Sequence, residues 1–464
     1  MTRTTRPAPL YVSTMLAYGA GMLGTQIFRD TPAALLPLFM ATMLGVPAWL
    51  TGIVVLVPKL WLVVCDPLMG NWSDKAKARR GRSPFLIAGA VLTSLGFVSL
   101  FSFTGFSSPY VAAVAIGVLY FMASTAFSAF SVPYLAMASE LSPDSYERTK
   151  ILSYRMIFAV LGVVIAVGAA QPVIQHLGGG PDAWRTAALM LGGLSLLSML
   201  TTPLGLRSRV APDTRAISAG NWRDGLAAGW RNRAYRQILS AHFIQSTAMG
   251  CGYTVLGFVF IYVVGKIDLI LPFVLLMAAG SLISQPLWLA MSHRLGKRFC
   301  FVLATVAWAL ITVSWMWAGT GGEVLATLPL LGALDTHQAL VILRGIGIGV
   351  TNAGVLLMIF SMLTDAIKDG QAADGVVDEG LLSGVFTAIE KLGFAIGPLI
   401  AGVVLSLSGF QSSSTGMVQQ SAGAISGILI AFAIVPTVGL VLSLVAYTLL
   451  RQPQAGRLGR TVSA

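Results

Sequence analysis

The sequence predicts an all-α integral membrane protein of twelve transmembrane helices in two six-helix halves. Three observations predict it. Of 464 residues, 56% are hydrophobic and only 10% are charged, with a mean hydropathy of +0.79, whereas a soluble domain carries about a quarter of its residues as charges. The apolar residues fall into runs of the length that a bilayer needs, about 20 residues each. One long polar connection, residues 207–235, divides these runs six and six.

In order, the spans read 10–43, 47–73, 84–105, 109–140, 149–176, 183–206, 236–264, 268–292, 298–319, 337–365, 380–407 and 422–450. Several exceed the minimum, which accommodates tilt or extension past the bilayer. Pro32, Pro37, Pro133, Pro172 and Pro286 fall inside spans and read as kinks tolerated in buried helices. The first run follows Arg3 and Arg6, as a secretory signal would, but it lacks a small-residue cleavage site and is one of many, so it reads as a span. Cys65, Cys251 and Cys300 all lie in apolar runs, which points to neither a disulfide nor a metal site. The chain thus divides into an N-terminal half (1–206), a linker (207–235), a C-terminal half (236–451) and a tail (452–464).

The net charge of +12 does not read as nucleic-acid affinity, because the basic residues sit in short loops between apolar runs. Placing both termini in the cytoplasm puts most of the 30 Lys and Arg on that side, as the positive-inside bias requires. The expectation is a multi-pass protein of the cell (inner or plasma) membrane, in contact with lipid and monomeric. Arg29, Lys59, Arg155, Arg185, Lys266, Arg344 and Lys391 fall outside the bias and become the informative cations.

The halves resemble each other. Asp66-Pro67-Leu68 in span two is followed by Ser73-Asp74 and the basic run Lys75 to Arg82; Gln285-Pro286-Leu287 in span eight is followed by Ser292-His293 and then Arg294, Lys297 and Arg298. The spacing from Pro to Ser is the same. Tandem six-helix halves form a transporter architecture, with the solute site at their interface.

The basic run anchors the cytoplasmic end of span two and can neutralise helix C-terminal carbonyls. Asp74, Arg80 and Arg82 read as structural or gate residues there, with Glu140 and Arg148 at the neighbouring ends of spans four and five. Asp66 lies about 12 Å deeper along the helix axis than Asp74. A carboxylate at that depth costs at least ~2.5 kcal/mol unless paired or facing water. Two readings stand: a structural ion pair, or a carboxylate that carries an ion. Gln285 at the matching place in the second half shows that the architecture does not demand an acid, which favours the second.

Glu390 and Lys391 lie ~15 Å into span eleven, and Arg155 about 10 Å into span five. With Asp66 they form a predicted cluster in the inner half of the bilayer, although adjacent Glu390 and Lys391 point about 100° apart and cannot share a partner. A second polar set holds Gln26, Arg29 and Asp30 in span one, Lys59 in span two and Arg344 in span ten. Gln26 and Asp30 share a helix face; Arg29–Asp30 reads as a structural pair or a junction before Pro32. Arg344, followed by Gly345, Gly347 and Gly349, reads as close packing around one buried charge. Tyr18, Trp61, Tyr120, Tyr134, Tyr154, His242, Gln245, Tyr253 and Asn352 are candidates to line a solute cavity, each with packing or a satisfied hydrogen bond as the competing reading. With four histidines and no nucleophile–base constellation in the spans, an enzyme is not expected.

At Asp66-Pro67-x-x-Gly70, Asp74 and the run ending Arg80-Gly81-Arg82-Ser83-Pro84, the sequence resembles the glycoside–pentoside–hexuronide:cation symporters of the major facilitator superfamily. Tyr18-Gly19-x-Gly21, Pro133-Tyr134, Glu147-Arg148, Tyr154-Arg155, Phe158-Ala159 and Lys391 extend the likeness. The resemblance implies a major facilitator fold and symport of a sugar or glycoside with H⁺ or Na⁺ by alternating access, with no bound cofactor. It implies a cation site at Asp66 with Lys391 beside it and Ser131 close by; Glu390 joins these expected coupling residues on its depth in span eleven. Arg155 is similar to an arginine near the sugar, and Gln26, Tyr134, Tyr120, Trp61, Asn352 and Tyr18 complete the expected solute site. The sequence departs from the family's sodium-site pattern, with Leu62 one turn before Asp66 and Ser131 two residues before Pro133 where acids are expected. Thr25-Gln26 replaces a Lys-Asp pair that grips galactosides. A lone carboxylate beside a lysine suits proton exchange: contact with the ammonium favours the ionised form, and loss of contact favours protonation. Proton coupling is therefore expected over sodium. A lysolipid or other amphipathic cargo is the nearest alternative, and a non-transporting binding or assembly helper is the alternative of another class.

Overall fold

The computed structural model describes residues 11–141, 145–206, 227, 229–328, 332–374 and 379–449. Arg3 and Arg6, most of the 207–235 linker (207–226 and 228) and the 452–464 tail lie outside the described residues. Among the described residues there are twelve long helices: α1 (Val12–Met43), α2 (Ala48–Arg80), α3 (Ser83–Ser102), α4 (Pro109–Leu141), α5 (Ser145–Val163, continued by a π segment Val164–Ala169 and a last stretch Ala170–His176), α6 (Pro181–Gly205), α7 (Arg233–Phe258, continued by a π segment Val259–Val263), α8 (Ile270–Leu295), α9 (Lys297–Val313), α10 (Thr336–Asp374), α11 (Glu379–Leu407) and α12 (Ala422–Leu429, a π segment Ile430–Ile434, then Val435–Leu449). In a bilayer every backbone amide needs an internal partner, and the helices run on through Pro32, Pro37, Pro133 and Pro286.

Eleven of these helices are long and apolar enough to cross a membrane. The exception is α1, whose 32 residues span about 48 Å but whose middle carries Gln26, Arg29 and Asp30. Burial explains how it tolerates them. From Ala17 to Met43, Arg29 alone is exposed. The sequence showed no strand, yet α9 and α10 are connected by a hairpin of β1 (Val324–Leu328) and β2 (Gly332–Asp335), antiparallel, to which Lys266 Nζ adds a bond at Ala333 O, 2.8 Å.

Within the first half, α1 packs on α5 and α6, α3 on α4 and α6, and α2 on α4; within the second, α7 packs on α11 and α12, α8 on α10, and α9 on α10 and α12. The halves meet where α2 packs on α11, α1 on α7, and the π segment of α5 on α8. Small residues permit the closest approaches. A side chain at Gly52 would meet Pro398 O and Leu399 Cα, each at 2.6 Å, and one at Gly402 would run into the Ala48 carbonyl. The turns after α2 and α8 both use a left-handed glycine, Gly81 (φ 73°) and Gly296 (φ 83°), matching the aligned sequence segments.

The two ends of the bundle differ. At the end holding the α1–α2 and α11–α12 connections the halves are tied by backbone bonds: Gly45 N to Ser413 O at 3.0 Å, Ser413 N to Ala41 O at 2.8 Å and Gly416 N to Thr42 O at 3.1 Å. His176 Nδ1 of α5 lies 3.7 Å from Asp268, just before α8. Gly168 of α5 is close to Leu271 and Val274 of α8. Further along, Val160 and Ser281 of the same two helices stand on the wall of one cavity. Among the described residues α8 packs on the π segment of α5 and not appreciably on Ser145–Val163, so the contact belongs to the tied end.

Candidate transport site

Asp66 sits at the contact between halves. It projects from α2, Oδ1 accepting a bond from Ser128 Oγ of α4 at 2.6 Å and Oδ2 one from Lys391 Nζ of α11 at 2.5 Å. The Asp66 side chain is 18% exposed and that of Lys391 45%. Half-open to solvent, such a pair is worth about 1 kcal/mol or less once screening is allowed for. It holds α2 to α11 weakly enough to be broken when helices move. Ser131, expected as the hydroxyl of this site, is not the one that bonds Asp66; Ser128, one turn earlier on α4, occupies that place.

The residue before Lys391 faces elsewhere, as the helical phase requires. Glu390 Oε2 lies 3.6 Å from His242 Nε2 of α7, and the His242 ring stacks on Phe386 with centroids 4.3 Å apart. Neither ring nitrogen of His242 has a hydrogen-bond partner. The sequence placed His242 among scattered polar residues and carried no signal for this pairing.

A second cluster sits deeper on α1. Gln26 Nε2 donates to Asp30 Oδ2 at 2.8 Å, and Arg29 Nε lies 3.5 Å from Asp30 Oδ1. Asp30 is 2% exposed and Arg29 52%. Arg29 is thus the exposed side chain among buried neighbours along α1. Gly162 of α5 leaves the room that Gln26 fills. Lys59 Nζ of α2 sits over the Phe394 ring of α11 at 4.6 Å, and the Tyr253 ring of α7 meets Phe394 edge-on at 5.4 Å. Arg29 and Asp30 are within electrostatic range of Tyr253, and Arg29 also of Glu390. Cations, acids and aromatics from α1, α2, α7 and α11 thus converge between the halves.

The other expected site residues divide. Tyr18 and Tyr134 are consumed by each other: their rings stack at 4.6 Å, and Tyr18 Oη donates to Tyr134 O at 3.2 Å while Tyr134 Oη donates to Tyr18 O at 2.9 Å. Both are buried, so they clamp α1 to α4 and offer nothing to a solute in this state. Tyr120, 3% exposed, packs on Phe28 at 6.4 Å. Trp61 Nε1 donates to Thr125 Oγ1 at 2.9 Å and its ring stacks on Phe121, which spends its polar tip within α2 and α4. Arg155 is not part of the Asp66 cluster; its Nε points to Met22 Sδ at 3.4 Å. Asn352 of α10 lines a cavity of about 250 Å³ bounded by α5, α7, α8, α9, α10 and α12. Tyr253 is common to that cavity and the charged cluster, whereas Asp66 and Lys391 lie off it. Arg344 behaves as expected of a buried packing charge, with Nε bonded to Ser314 Oγ at 2.9 Å.

At the helix ends, Arg82 reaches back over the α2–α3 turn to Ser73 Oγ and Asp74 Oδ1, each at 2.5 Å. Asp74 thereby holds its own loop rather than a distant helix. Arg148 lies half-buried in the first turn of α5. The side chains of Arg80 and Glu140 lie outside the described residues.

Residues 17–451 of the chain match a family model described as MFS/sugar transport protein. The chain belongs to this family. It is a multi-pass membrane transporter and not an enzyme, and the resemblance carried by the Asp66-Pro67 motif holds. Relatives include the putative glycoside/cation symporter YagG of Escherichia coli, 26% identical over 91% of this chain and 88% of that protein. The isoprimeverose transporter of Lactiplantibacillus pentosus is 24% identical over 88% of this chain and 82% of that protein. Among solved structures, the nucleoside transporter NupG superposes with a TM-score of 0.60 at 13% identity, covering 94% of this chain and all of NupG. At that identity the likeness speaks for the fold alone.

Proposed function

We propose that this family member is a symporter that carries a sugar or glycoside with a proton by alternating access, in the cell's inner or plasma membrane, as a monomer with both termini in the cytoplasm. The names of its relatives, a glycoside/cation symporter and an isoprimeverose transporter, support the cargo class. The observation that carries the coupling is the Asp66–Lys391 pair across the two halves. Lys391 occupies one carboxylate oxygen and Ser128 the other. A hard metal cation needs several oxygen ligands, and this arrangement supplies few; a proton needs only the carboxylate. Protonating Asp66 removes its attraction for Lys391, which frees α2 from α11 and lets the halves rock. The ion gradient supplies the driving force, and the reading requires no bound cofactor.

In this orientation the tied end faces outward and the opposite end faces the cytoplasm, with Asp74, Arg80, Arg82, Glu140 and Arg148 at the cytoplasmic rim. Gln26, Asp30, Arg29 and Lys59 are the groups we assign to the sugar, joined by Arg155 and Asn352 as helices shift. The test is uptake of labelled sugars and glycosides into proteoliposomes under imposed gradients. Accumulation driven by an inward proton gradient without sodium is the expected result. Accumulation driven by a sodium gradient with no pH difference overturns the proton assignment.

A further inference from the structure

The cavity of about 250 Å³ is chemically unlike the charged cluster beside it. Its wall includes Trp308, Trp315, Phe273, Phe432, Met249 and Met277, and its polar contributors are Tyr253, Ser281, Thr312 and Asn352. A sugar ring carries a hydroxyl on nearly every carbon, and each one buried without a partner carries a desolvation penalty. Four polar side chains among so much apolar surface cannot satisfy a ring turning its whole edge to them. A flat apolar group meets no such penalty. A cavity of about 150 Å³ is enough to hold benzene, so this one holds a phenyl-sized group with room for its linking atom.

Tyr253 supplies the connection. Its ring lines the cavity, leans on Phe394 and lies within electrostatic range of Arg29 and Asp30. A ligand passing Tyr253 would have one end among Gln26, Asp30, Arg29 and Lys59 and the other among tryptophans and methionines. We infer that the cavity is an aglycone site: the preferred cargo is a glycoside with an apolar, phenyl-sized aglycone, whose sugar remains at the charged cluster. The inference rests on the glycoside reading above and narrows it.

Gly252 offers a direct test. It lines the cavity, and a Cβ built on it meets nothing within 4 Å, so Gly252→Leu fills the space without pressing on backbone. Ala278→Leu fills it from the α8 side and serves as a second variant should the first fail to fold. Purified full-length protein is titrated with methyl and phenyl glycosides of glucose, galactose, xylose and glucuronate, read by thermal shift and competition. For at least one sugar the phenyl glycoside is expected to bind about tenfold tighter than its methyl partner, equivalent to about 1.4 kcal/mol. In Gly252→Leu that advantage falls below about twofold, while methyl-glycoside affinity stays within about threefold of the parent. Equal affinities in the parent, an advantage that survives in both variants, or equal weakening of both glycosides overturns the aglycone site while leaving the glycoside reading intact. Binding of phenol or lysophosphatidylcholine that needs the open cavity, with no glycoside bound, also overturns it. If no methyl or phenyl glycoside binds, the glycoside reading falls and takes this inference with it.

Discussion

Asp66 has two oxygens with different partners, and that division predicts how its variants differ. Asp66→Asn keeps an acceptor for Ser128 Oγ, now 2.6 Å away, but cannot take up a proton or neutralise Lys391. Lys391, 45% exposed, can be solvated instead, so the fold survives. Accumulation against a gradient is expected to vanish, while exchange of labelled for unlabelled solute persists and the melting temperature moves by only a few degrees, in line with a pair worth about 1 kcal/mol or less. Loss of exchange along with accumulation would mean that Asp66 positions the solute rather than couples it. The pairing with Lys391 was legible because both residues lie at one depth on their helices and match the family's motif. Ser128 was not. Ser128 and Ser131 lie one turn apart on α4, and which of them faces α2 depends on the rotation of α4, which no local pattern encodes. The tyrosines failed for a related reason: Tyr18 and Tyr134 look like cavity residues one at a time, and only their mutual stacking shows them spent.

At the scale of the element, α1 and α11 are the instructive helices. The middle of α1 is too polar to score as a span, yet its flanks and its place before eleven further runs made it readable. The hairpin of β1 and β2 was not readable, because a short apolar stretch beside a span looks like more of the same apolar sequence. The packing of α11 was not legible, because no local pattern says which neighbour a glycine admits. The structure assigns Gly52 and Gly402 to the α2–α11 seam and leaves Gly384 of α11 with nothing within 4 Å of its would-be Cβ. A side chain forced against backbone typically costs about 1–3 kcal/mol. Gly52→Leu is therefore expected to lower the melting temperature measurably and to slow uptake, whereas Gly384→Leu leaves both near the parent values. Indistinguishable thermal stabilities for the two variants would show that the seam is looser than drawn.

For the whole molecule, the difference between the two ends decides what must move. The halves are tied at one end by the backbone bonds of Ala41, Thr42 and Gly45 with the loop at Ser413–Gly416 and by the approach of His176 to Asp268. Away from that end α8 no longer packs appreciably on α5, and the contact left between the halves there includes the breakable Asp66–Lys391 pair. A carrier working by alternating access must open the tied end once per cycle, so a covalent tie there should stop turnover without closing the site. His176 and Asp268 suit this test because both are exposed (69% and 42%) and come from opposite halves. The three native cysteines, Cys65, Cys251 and Cys300, are all buried, so a short bis-maleimide has little else to attack. His176→Cys with Asp268→Cys should transport before cross-linking and lose transport in proportion to the cross-linked fraction. Thermal stabilisation by bound glycoside should survive, because the ligand still enters from the opposite end. Full transport by fully cross-linked protein would mean that this end never opens, and the solute path would have to lie elsewhere in the bundle.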